Sequence, residues 1–183
     1  GYDIILLYFS RFILLVRRRI SIMSRKPFSL CPYCGAGLIT GIIEDRPRAV
    51  CPECSWIHYE NPLPCAAALV SDEYGRILLI KRAVAPAAGR WALPSGFIEL
   101  KETAEKACIR ELKEETGLDG EIIRPLGVFS QESDVYGSIL IVGYQVRAAG
   151  HPCPGSDALE TAFFSEEEMP EIAFASHREI IRT

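Results

Sequence analysis

The segment 96–118 constrains the fold most, because it predicts an amphipathic helix whose apolar face carries carboxylates. At about 100° per residue, Glu111 and Glu115 fall about 40° apart within the apolar stripe of a helix over 103–116, and Glu114 lies at its edge. Carboxylates on a buried face are costly unless a cation or hydrogen bonds compensate them. Converging carboxylates therefore predict a site for a hard divalent cation, Mg²⁺ or Mn²⁺. The stripe is defined by Ala104, Ala107, Cys108 and Leu112.

The alternative for this segment is a solvated helix with charge pairs between residues four apart. That alternative accounts for Glu105, Lys106 and Lys113. It does not account for Glu111 and Glu115, because they lie on the face that such a helix would bury.

Four of the seven cysteines form two Cys-x-x-Cys pairs separated by sixteen residues, Cys31 with Cys34 and Cys51 with Cys54. Each pair can form a tight knuckle, so the four thiolates predict one tetrahedral structural Zn²⁺ site. Two redox pairs or two disulfides are the alternative, and the prolines inside both pairs together with Gly35 favour knuckles. The other cysteines are expected to be ordinary thiols: Cys65, Cys108 and Cys153.

The cysteine segment carries little positive charge, since Arg46 and Arg48 are balanced by Glu44 and Asp45 between the two pairs. The whole chain has a formal charge of −4, which argues against a strongly basic nucleic-acid binder. We interpret the segment as a structural or dimer-forming module, with a homodimer as the expected assembly and nucleic-acid binding as the less favoured alternative.

Three segments differ in composition. Residues 1–26 contain an apolar run followed by three arginines. The run is shorter than the ~20 apolar residues of a membrane span. A signal peptide has its basic residues before the apolar run, whereas here they follow it. A membrane-peripheral leader, a docked helix and translation upstream of Met23 are the three interpretations, and we favour the last. Residues 27–62 form the cysteine module and 63–183 the main domain. No membrane partner and a cytoplasmic location are expected.

The main domain alternates strand and helix patterns. Strands are predicted over 66–70, 76–82, 121–130, 138–147 and 158–164, with a turn over 72–75 between the first two. Helices are predicted over 103–116, where Gly117 ends the helix, and over 176–182.

Residues 96–118 resemble the Nudix box at every defined position, Gly-x5-Glu-x7-Arg-Glu-U-x-Glu-Glu-x-Gly-U with U aliphatic. The resemblance extends from about Cys65 to Arg182 and, with the cysteine module, from about Leu30. The chain is similar to the zinc-ribbon-bearing Nudix hydrolases, a group that includes NADH, ADP-ribose and FAD pyrophosphatases. It implies an α/β/α sandwich around a mixed sheet, preceded by a zinc ribbon.

The same resemblance implies roles for individual residues. Arg110 and Glu102 would form an orienting salt bridge, and Glu160 would be an additional metal ligand on a late strand. Glu111 or Glu115 would be the general base for hydrolysis of a nucleoside diphosphate linked to another group. The implied ligands of the catalytic Mg²⁺ or Mn²⁺ on the box are the carbonyl near Gly96, Glu111, Glu114 and Glu115.

The substrate is the least constrained feature. NADH pyrophosphatases carry Ser-Gln-Pro-Trp-Pro-Phe-Pro-x-Ser after the box, and here only Ser130 and Gln131 match. ADP-ribose or FAD is therefore the expected small-molecule substrate, with NADH or capped RNA as alternatives. His58 and His177 are interpreted as ordinary polar residues. The candidate substrate-binding residues, each with a core or surface role as its alternative, are Trp91, Phe97, Tyr136, Arg82 and Arg90.

Two other classes of protein compete with the hydrolase. A nucleotide-sensing regulatory protein with a nucleic-acid-contacting ribbon would be favoured by a degenerate box, whereas this box is intact. A redox protein using the Cys-x-x-Cys pairs leaves the carboxylate helix unexplained.

Overall fold

The computed structural model describes residues 28–155 and 157–183. The prediction for residues 1–26 therefore lies outside the described residues. The described chain forms two compact units that meet in sequence between Glu60 and Asn61, two residues before the boundary predicted from composition.

The first unit is a short hairpin between two cysteine knuckles. Strands β1 (Ile39–Ile43) and β2 (Arg46–Val50) pair antiparallel, with Ile39 opposite Val50. The connecting residues Glu44 and Asp45 both have positive φ, 52° and 61°, which matches the two-residue turn that joins right-twisted strands. The hairpin brings the two knuckles to the same end of the unit.

The second unit contains two sheets and two helices. One sheet has the order β6-β3-β8-β7 and is mixed, because β3 and β8 are parallel; the other has the order β5-β4-β9 and is antiparallel. The strands are β3 (Leu63–Val70), β4 (Ile77–Arg82), β5 (Trp91–Ala92), β6 (Ser95–Phe97), β7 (Asp119–Ser133), β8 (Gly137–Ala149) and β9 (Ala158–Phe164). The helices are α1 (Ala104–Thr116) and α2 (Ala175–Ile181).

The two helices pack on opposite faces of β3. Ala66 and Ala68 contribute to the core cluster that contains Leu112 of α1, whereas Ala67 contributes to the cluster that contains Ile180 of α2. Successive strand residues point to opposite faces, so this alternation places a helix on each side. The predicted mixed sheet between helices is confirmed.

Helix α1 begins one residue after its predicted start and ends where the sequence predicts. The Thr103 side chain accepts a hydrogen bond from the Lys106 amide at 3.3 Å, which caps the first turn. Gly117 follows the helix at φ 74°, and its amide donates to the Lys113 carbonyl at 2.8 Å. None of the helices in the described part of the chain is long and apolar enough to cross a membrane.

Of the remaining elements predicted in the second unit, β9 has the predicted ends and the others are present with shifted ends; two strands of this unit were not predicted. β7 and β8 extend beyond the predicted 121–130 and 138–147 because they form one long hairpin. β5 and β6 have two and three residues, too few for a periodic pattern to reveal. They matter here because β6 places the backbone of Ser95 and Gly96 beside the carboxylates of α1.

Candidate active site

Glu115 is a buried carboxylate at the centre of the site. Its side chain is on the inner face of α1, the residue is 4% exposed, and Oε2 accepts a hydrogen bond from the Ser95 amide at 2.9 Å. Burial raises the pKa of Glu115 to about 8, with a further contribution from the nearby charge of Glu111. Burial therefore disfavours the ionised form of Glu115, and a bound cation would favour it.

Glu111 lies one turn earlier on α1, with its carboxylate against the backbone of Gly96 on β6. A Cβ at Gly96 would overlap the Glu111 carboxylate, so only glycine leaves room for this side chain. Glu111 is 15% exposed at its side chain and accepts a hydrogen bond from Arg110 Nη1 at 2.6 Å. Burial raises its pKa despite that arginine.

Arg110 connects α1 to the loop that precedes it. Its Nε and Nη2 donate to the two carboxylate oxygens of Glu102, both at 2.9 Å, and Nη2 also donates to the Phe97 carbonyl at 3.0 Å. Hydrogen bonds from Arg110 lower the pKa of Glu102 to about 2. The pairing that the sequence suggested is present, and it fixes the chain that enters α1. Nη1 of Arg110 also approaches Glu114 at 3.3 Å.

The donor set fits a hard divalent cation. Glu111 and Glu115 are two poorly solvated carboxylates whose pKa values are raised mainly by burial, and a bound cation would favour their ionised forms. Mg²⁺ and Mn²⁺ prefer oxygen ligands of this type. Glu114, at 49% side-chain exposure, lies at the outer edge of the same helix face. The roles of these residues and of the Gly96 carbonyl as ligands stay predictions.

Two further charged residues act on Glu115: Arg82, which the sequence put forward as a substrate-binding candidate, and Asp157, which sequence reasoning missed. Arg82 is held in place because its Nε donates to the Pro86 carbonyl at 2.8 Å and its guanidinium lies 5.1 Å from the ring centroid of Phe174. Asp157 and Phe174 are 75 and 92 residues from Arg82 in sequence, so no local pattern could have identified them.

The aromatic candidates divide into two groups. Phe97 and Tyr136 form an edge-to-face pair with centroids 5.1 Å apart, and Tyr136 is close enough to Arg82 to affect its pKa. Trp91 instead packs edge-to-face on Phe164 at 4.8 Å and belongs to the core cluster beneath α2.

Two charged candidates lie in surface ion pairs. Arg90 pairs with Glu171 at 2.7 Å, and both side chains are at least half exposed. Glu160 pairs with Lys81, directly opposite it on β4, at 3.3 Å. The largest effects of charge on Glu115 come from Glu111, Arg82 and Asp157; the structure does not bring Glu160 into that group.

The four paired cysteines form a second site, in the first unit. All four sulfurs lie within 4.8 Å of one another, and those of Cys34 and Cys51 are 3.4 Å apart. A tetrahedral zinc with Zn–S bonds near 2.3 Å places its sulfurs about 3.8 Å apart, so the cluster fits such an ion with a small expansion. The Cys54 amide donates to Cys51 Sγ, which lowers the pKa of the Cys51 thiol to about 7 and favours the thiolate.

The two knuckles have the same backbone construction. The Gly35 amide donates to the Cys31 carbonyl at 2.9 Å, and the Ser55 amide donates to the Cys51 carbonyl at 3.0 Å. Gly35 and Ser55 both have positive φ, 77° and 60°. The prediction of two knuckles is therefore confirmed within the described chain.

Family models match both units of the chain. A model described as the NUDIX domain matches residues 61–183, and one described as Nudix N-terminal, a zinc ribbon, matches residues 30–60. The chain therefore belongs to the Nudix hydrolase family, whose members act on pyrophosphate bonds, and carries that family's ribbon.

Individual relatives have two kinds of name. An ADP-ribose pyrophosphatase of Methanocaldococcus jannaschii is 37% identical over 126 residues, which cover 68% of this chain and 73% of that protein. An NAD-capped RNA hydrolase of Vibrio vulnificus is 28% identical over 144 residues, which cover 78% of this chain. This match spans about half, 53%, of the length of the Vibrio protein.

A solved structure supports the fold of both units. The crystal structure of a NUDIX hydrolase from Nitrosomonas europaea is 32% identical, with a TM-score of 0.74. The match covers 85% of this chain and 89% of that chain.

Proposed function

We propose that this chain is a Mg²⁺-dependent hydrolase that cleaves the pyrophosphate of a nucleoside diphosphate derivative and releases a nucleoside monophosphate. The observation that carries the proposal is the pair of carboxylates on the inner face of α1 beside Gly96, the buried Glu115 and the largely buried Glu111. Such a pair has no structural use in a core, because each ionised group loses solvation there. It has a clear use beside a cation and an anionic substrate.

The residues divide the work of the proposed reaction. A divalent cation held by the α1 carboxylates would neutralise charge on the pyrophosphate oxygens and lower the pKa of a bound water. Glu111 or Glu115 accepts the proton of the attacking water. Arg110 holds the α1 carboxylates in position through Glu102 and the Phe97 carbonyl. Arg82 presents a cation whose charge acts on Glu115 and which can bind a phosphate oxygen.

ADP-ribose or FAD is the proposed substrate. The similarity to an ADP-ribose pyrophosphatase over 73% of its length supports this choice. The departure from the NADH pyrophosphatase stretch after Gln131 counts against NADH. We propose that Phe97 and Tyr136, which are both partly exposed, provide the aromatic surface on which the base stacks.

A substrate panel tests this choice. The protein is incubated with Mg²⁺ and, separately, ADP-ribose, FAD, NADH, NAD and a deoxynucleoside triphosphate, and kcat/KM is measured from nucleoside monophosphate release. ADP-ribose or FAD is expected to have the highest kcat/KM. Tyr136→Leu should raise KM for that substrate, whereas Tyr136→Phe, the matched control, should leave it within twofold. Equal KM values for the two variants would remove Tyr136 from the binding surface.

A second substrate class is favoured by the similarity to NAD-capped RNA hydrolases. The test measures kcat/KM for an NAD-capped RNA oligonucleotide, for free NAD and for ADP-ribose under the same conditions. A kcat/KM for the capped oligonucleotide at least tenfold above that for ADP-ribose would make RNA decapping the activity, and a lower value would leave the small molecule as substrate.

We propose a structural Zn²⁺ for the cysteine cluster, a cytoplasmic location and a role for the ribbon as a structural or dimer-forming module. None of the seven cysteines, all of which lie in the described part of the chain, forms a disulfide, and this suits a reducing compartment. Light scattering at several protein concentrations, with and without the ribbon cysteines replaced by serine, tests the dimer: loss of a dimer only in the serine variant supports the proposal.

A further inference from the structure

His177 lies in the core of the second unit and is accounted for by none of the roles above. It is on α2, is 2% exposed, and its Nδ1 accepts a hydrogen bond from the Leu93 amide at 3.1 Å. Leu93 is itself completely buried. A buried amide without an acceptor is strongly disfavoured, so this hydrogen bond restricts where the Leu93 backbone can lie.

The contacted backbone belongs to the connection between strands β5 and β6. This segment, Leu93–Ser95 including the first residue of β6, is called the crossing. β5 ends at Ala92 and β6 begins at Ser95, so neither strand ladder supplies an acceptor for Leu93. Pro94 has no amide hydrogen. The crossing therefore has two backbone donors, and both are bound by side chains: the Leu93 amide by His177 and the Ser95 amide by Glu115.

The next residue of this segment is Gly96, whose missing side chain makes room for Glu111. The position of the crossing thus sets two contacts of the α1 carboxylates at once. From the opposite side, α2 is anchored to β7, because Gln131 Oε1 accepts hydrogen bonds from Ser176 Oγ at 2.7 Å and from the Ser176 amide at 3.4 Å. His177 makes the hydrogen bond that joins this anchored helix to the crossing.

We propose that His177 is a positioning residue for the metal-binding carboxylates, because its Nδ1 holds the Leu93 amide and so orients the Ser95 amide toward Glu115. The inference rests on the proposed function, since it takes Glu111 and Glu115 as the ligands of the catalytic cation. It assigns to the isolated histidine of α2 a role that depends on an unprotonated Nδ1. Burial favours that state, since it lowers the pKa of His177 to about 3.

Three variants test the proposal. His177→Phe keeps a planar ring, although a larger one, and removes the acceptor. His177→Asn keeps an acceptor, Oδ1, at the position of Nδ1. Ile180→Ala, on the same helix and fully buried, is the control for a general loss of packing, because its side chain lies against Gly143 of β8 and offers no polar atom to the crossing.

The readouts are the dissociation constant of Mn²⁺ alone, measured by electron paramagnetic resonance, and the hydrogen exchange rate of the Leu93 amide. His177→Phe is expected to raise the Mn²⁺ dissociation constant about tenfold, the size typical for residues that orient metal ligands, and to accelerate Leu93 exchange. His177→Asn should remain within threefold of the wild type in both. Unchanged Mn²⁺ binding in His177→Phe, or an equal loss in Ile180→Ala, would overturn the proposal.

The wild-type protein provides a measurement that does not depend on a variant folding. The ¹⁵N shifts of the His177 ring should show an unprotonated Nδ1 and a protonated Nε2 between pH 5 and 8, and a protonated Nδ1 would also overturn the proposal. If no nucleotide is hydrolysed, the proposed function fails while these measurements still decide the position of the crossing.

Discussion

Glu115 is the residue at which stability and the proposed activity oppose each other. Its carboxyl group has an ordinary pKa of 4.5 when solvated, as in an unfolded chain, and burial raises this pKa to about 8 in the fold. A raised folded pKa means that the stabilising contribution is complete below about pH 4.5 and is lost as the pH rises through 8. In the absence of a divalent cation, the charged form therefore destabilises the protein at alkaline pH.

Replacing Glu115 by glutamine tests this account. In Mg²⁺-free buffer, Glu115→Gln should be more stable than the wild type at pH 8.5, by up to a few kcal/mol, and the difference should shrink at pH 5. Urea unfolding followed by Trp91 fluorescence, in a Trp56→Phe background, measures it. Added Mg²⁺ should stabilise the wild type and leave Glu115→Gln almost unchanged. A difference independent of pH and Mg²⁺ would contradict the account.

Gly96 offers a second test at the residue scale. A methyl group at this position would overlap the Glu111 carboxylate, so Gly96→Ala should reduce kcat at least ~100-fold by displacing that group. Gly37→Ala is the control, because a Cβ there meets no atom within 4 Å. Circular dichroism confirms that both variants fold; activity within threefold of the wild type in Gly96→Ala would show that Glu111 is not needed where it lies.

His177 gives the opposite pH dependence to Glu115. Its pKa is lowered from 6.5 to about 3 by burial, with a smaller contribution from the charge of Arg82. A neutral imidazole that is fully present above pH 6.5 therefore stabilises the fold, and this stabilisation is lost as the pH falls toward 3. Urea unfolding at pH 7 and pH 4 should show a larger loss of stability for the wild type than for His177→Asn. Equal losses would indicate that His177 titrates freely in the fold.

Helix α1 shows which elements local sequence determines. Gly117 ends the helix as the sequence predicts, and Thr103, predicted as the first helical residue, is instead the residue that caps it. Helical spacing also predicts the carboxylate face of α1. The Arg110–Glu102 pair joins the helix to the loop before it, and it is the family resemblance that implies this pair.

The caps of α1 can be tested separately from the chemistry. Thr103→Ala should lower the free energy of unfolding by about 1 kcal/mol through loss of the bond to the Lys106 amide. Thr103→Ser, which keeps the hydroxyl, should recover most of it. Because neither variant moves Glu111 or Glu115, kcat should stay within twofold of the wild type in Mg²⁺ at 25 °C. A tenfold fall in kcat would mean that the start of α1 takes part directly in the site.

The elements that sequence could not predict depend on distant partners. β5 and β6 exist because they pair with β4 and β3, and each is too short to have a periodic pattern. Asp157 and Phe174 reach Arg82 only after the second sheet and α2 have assembled. His177 is interpreted from sequence as an ordinary polar residue, because the four thiolates already complete a zinc site. Its contact with Leu93, 84 residues away, has no local signal in the sequence.

At the scale of the whole molecule, the two units are stabilised in different ways. The second unit has two apolar clusters around its sheets and helices. In the first unit, several large apolar side chains are exposed, including Tyr33 and Ile42 at 78% and 71%. A metal ion is therefore expected to supply most of the folding free energy of the first unit.

Measuring the zinc content, and removing a zinc ligand, tests whether a metal ion stabilises only the first unit. Elemental analysis should find about one zinc per chain, and Cys51→Ser should lose nearly all of it. Hydrogen exchange in Cys51→Ser should show loss of protection in β1 and β2, with the strands of the second unit still protected. Zinc retained in Cys51→Ser, or simultaneous loss of protection in both units, would contradict the account.

The central claim is that the inner-face carboxylates of α1, Glu111 and Glu115, serve Mg²⁺-dependent pyrophosphate hydrolysis. The most direct measurement is the rate of AMP and ribose 5-phosphate release from ADP-ribose, with and without Mg²⁺, by the wild type and by Glu115→Gln. The account predicts Mg²⁺-dependent release by the wild type and a rate at least ~100-fold lower for Glu115→Gln. Equal rates for the two proteins, or wild-type release that does not depend on a divalent cation, would contradict it.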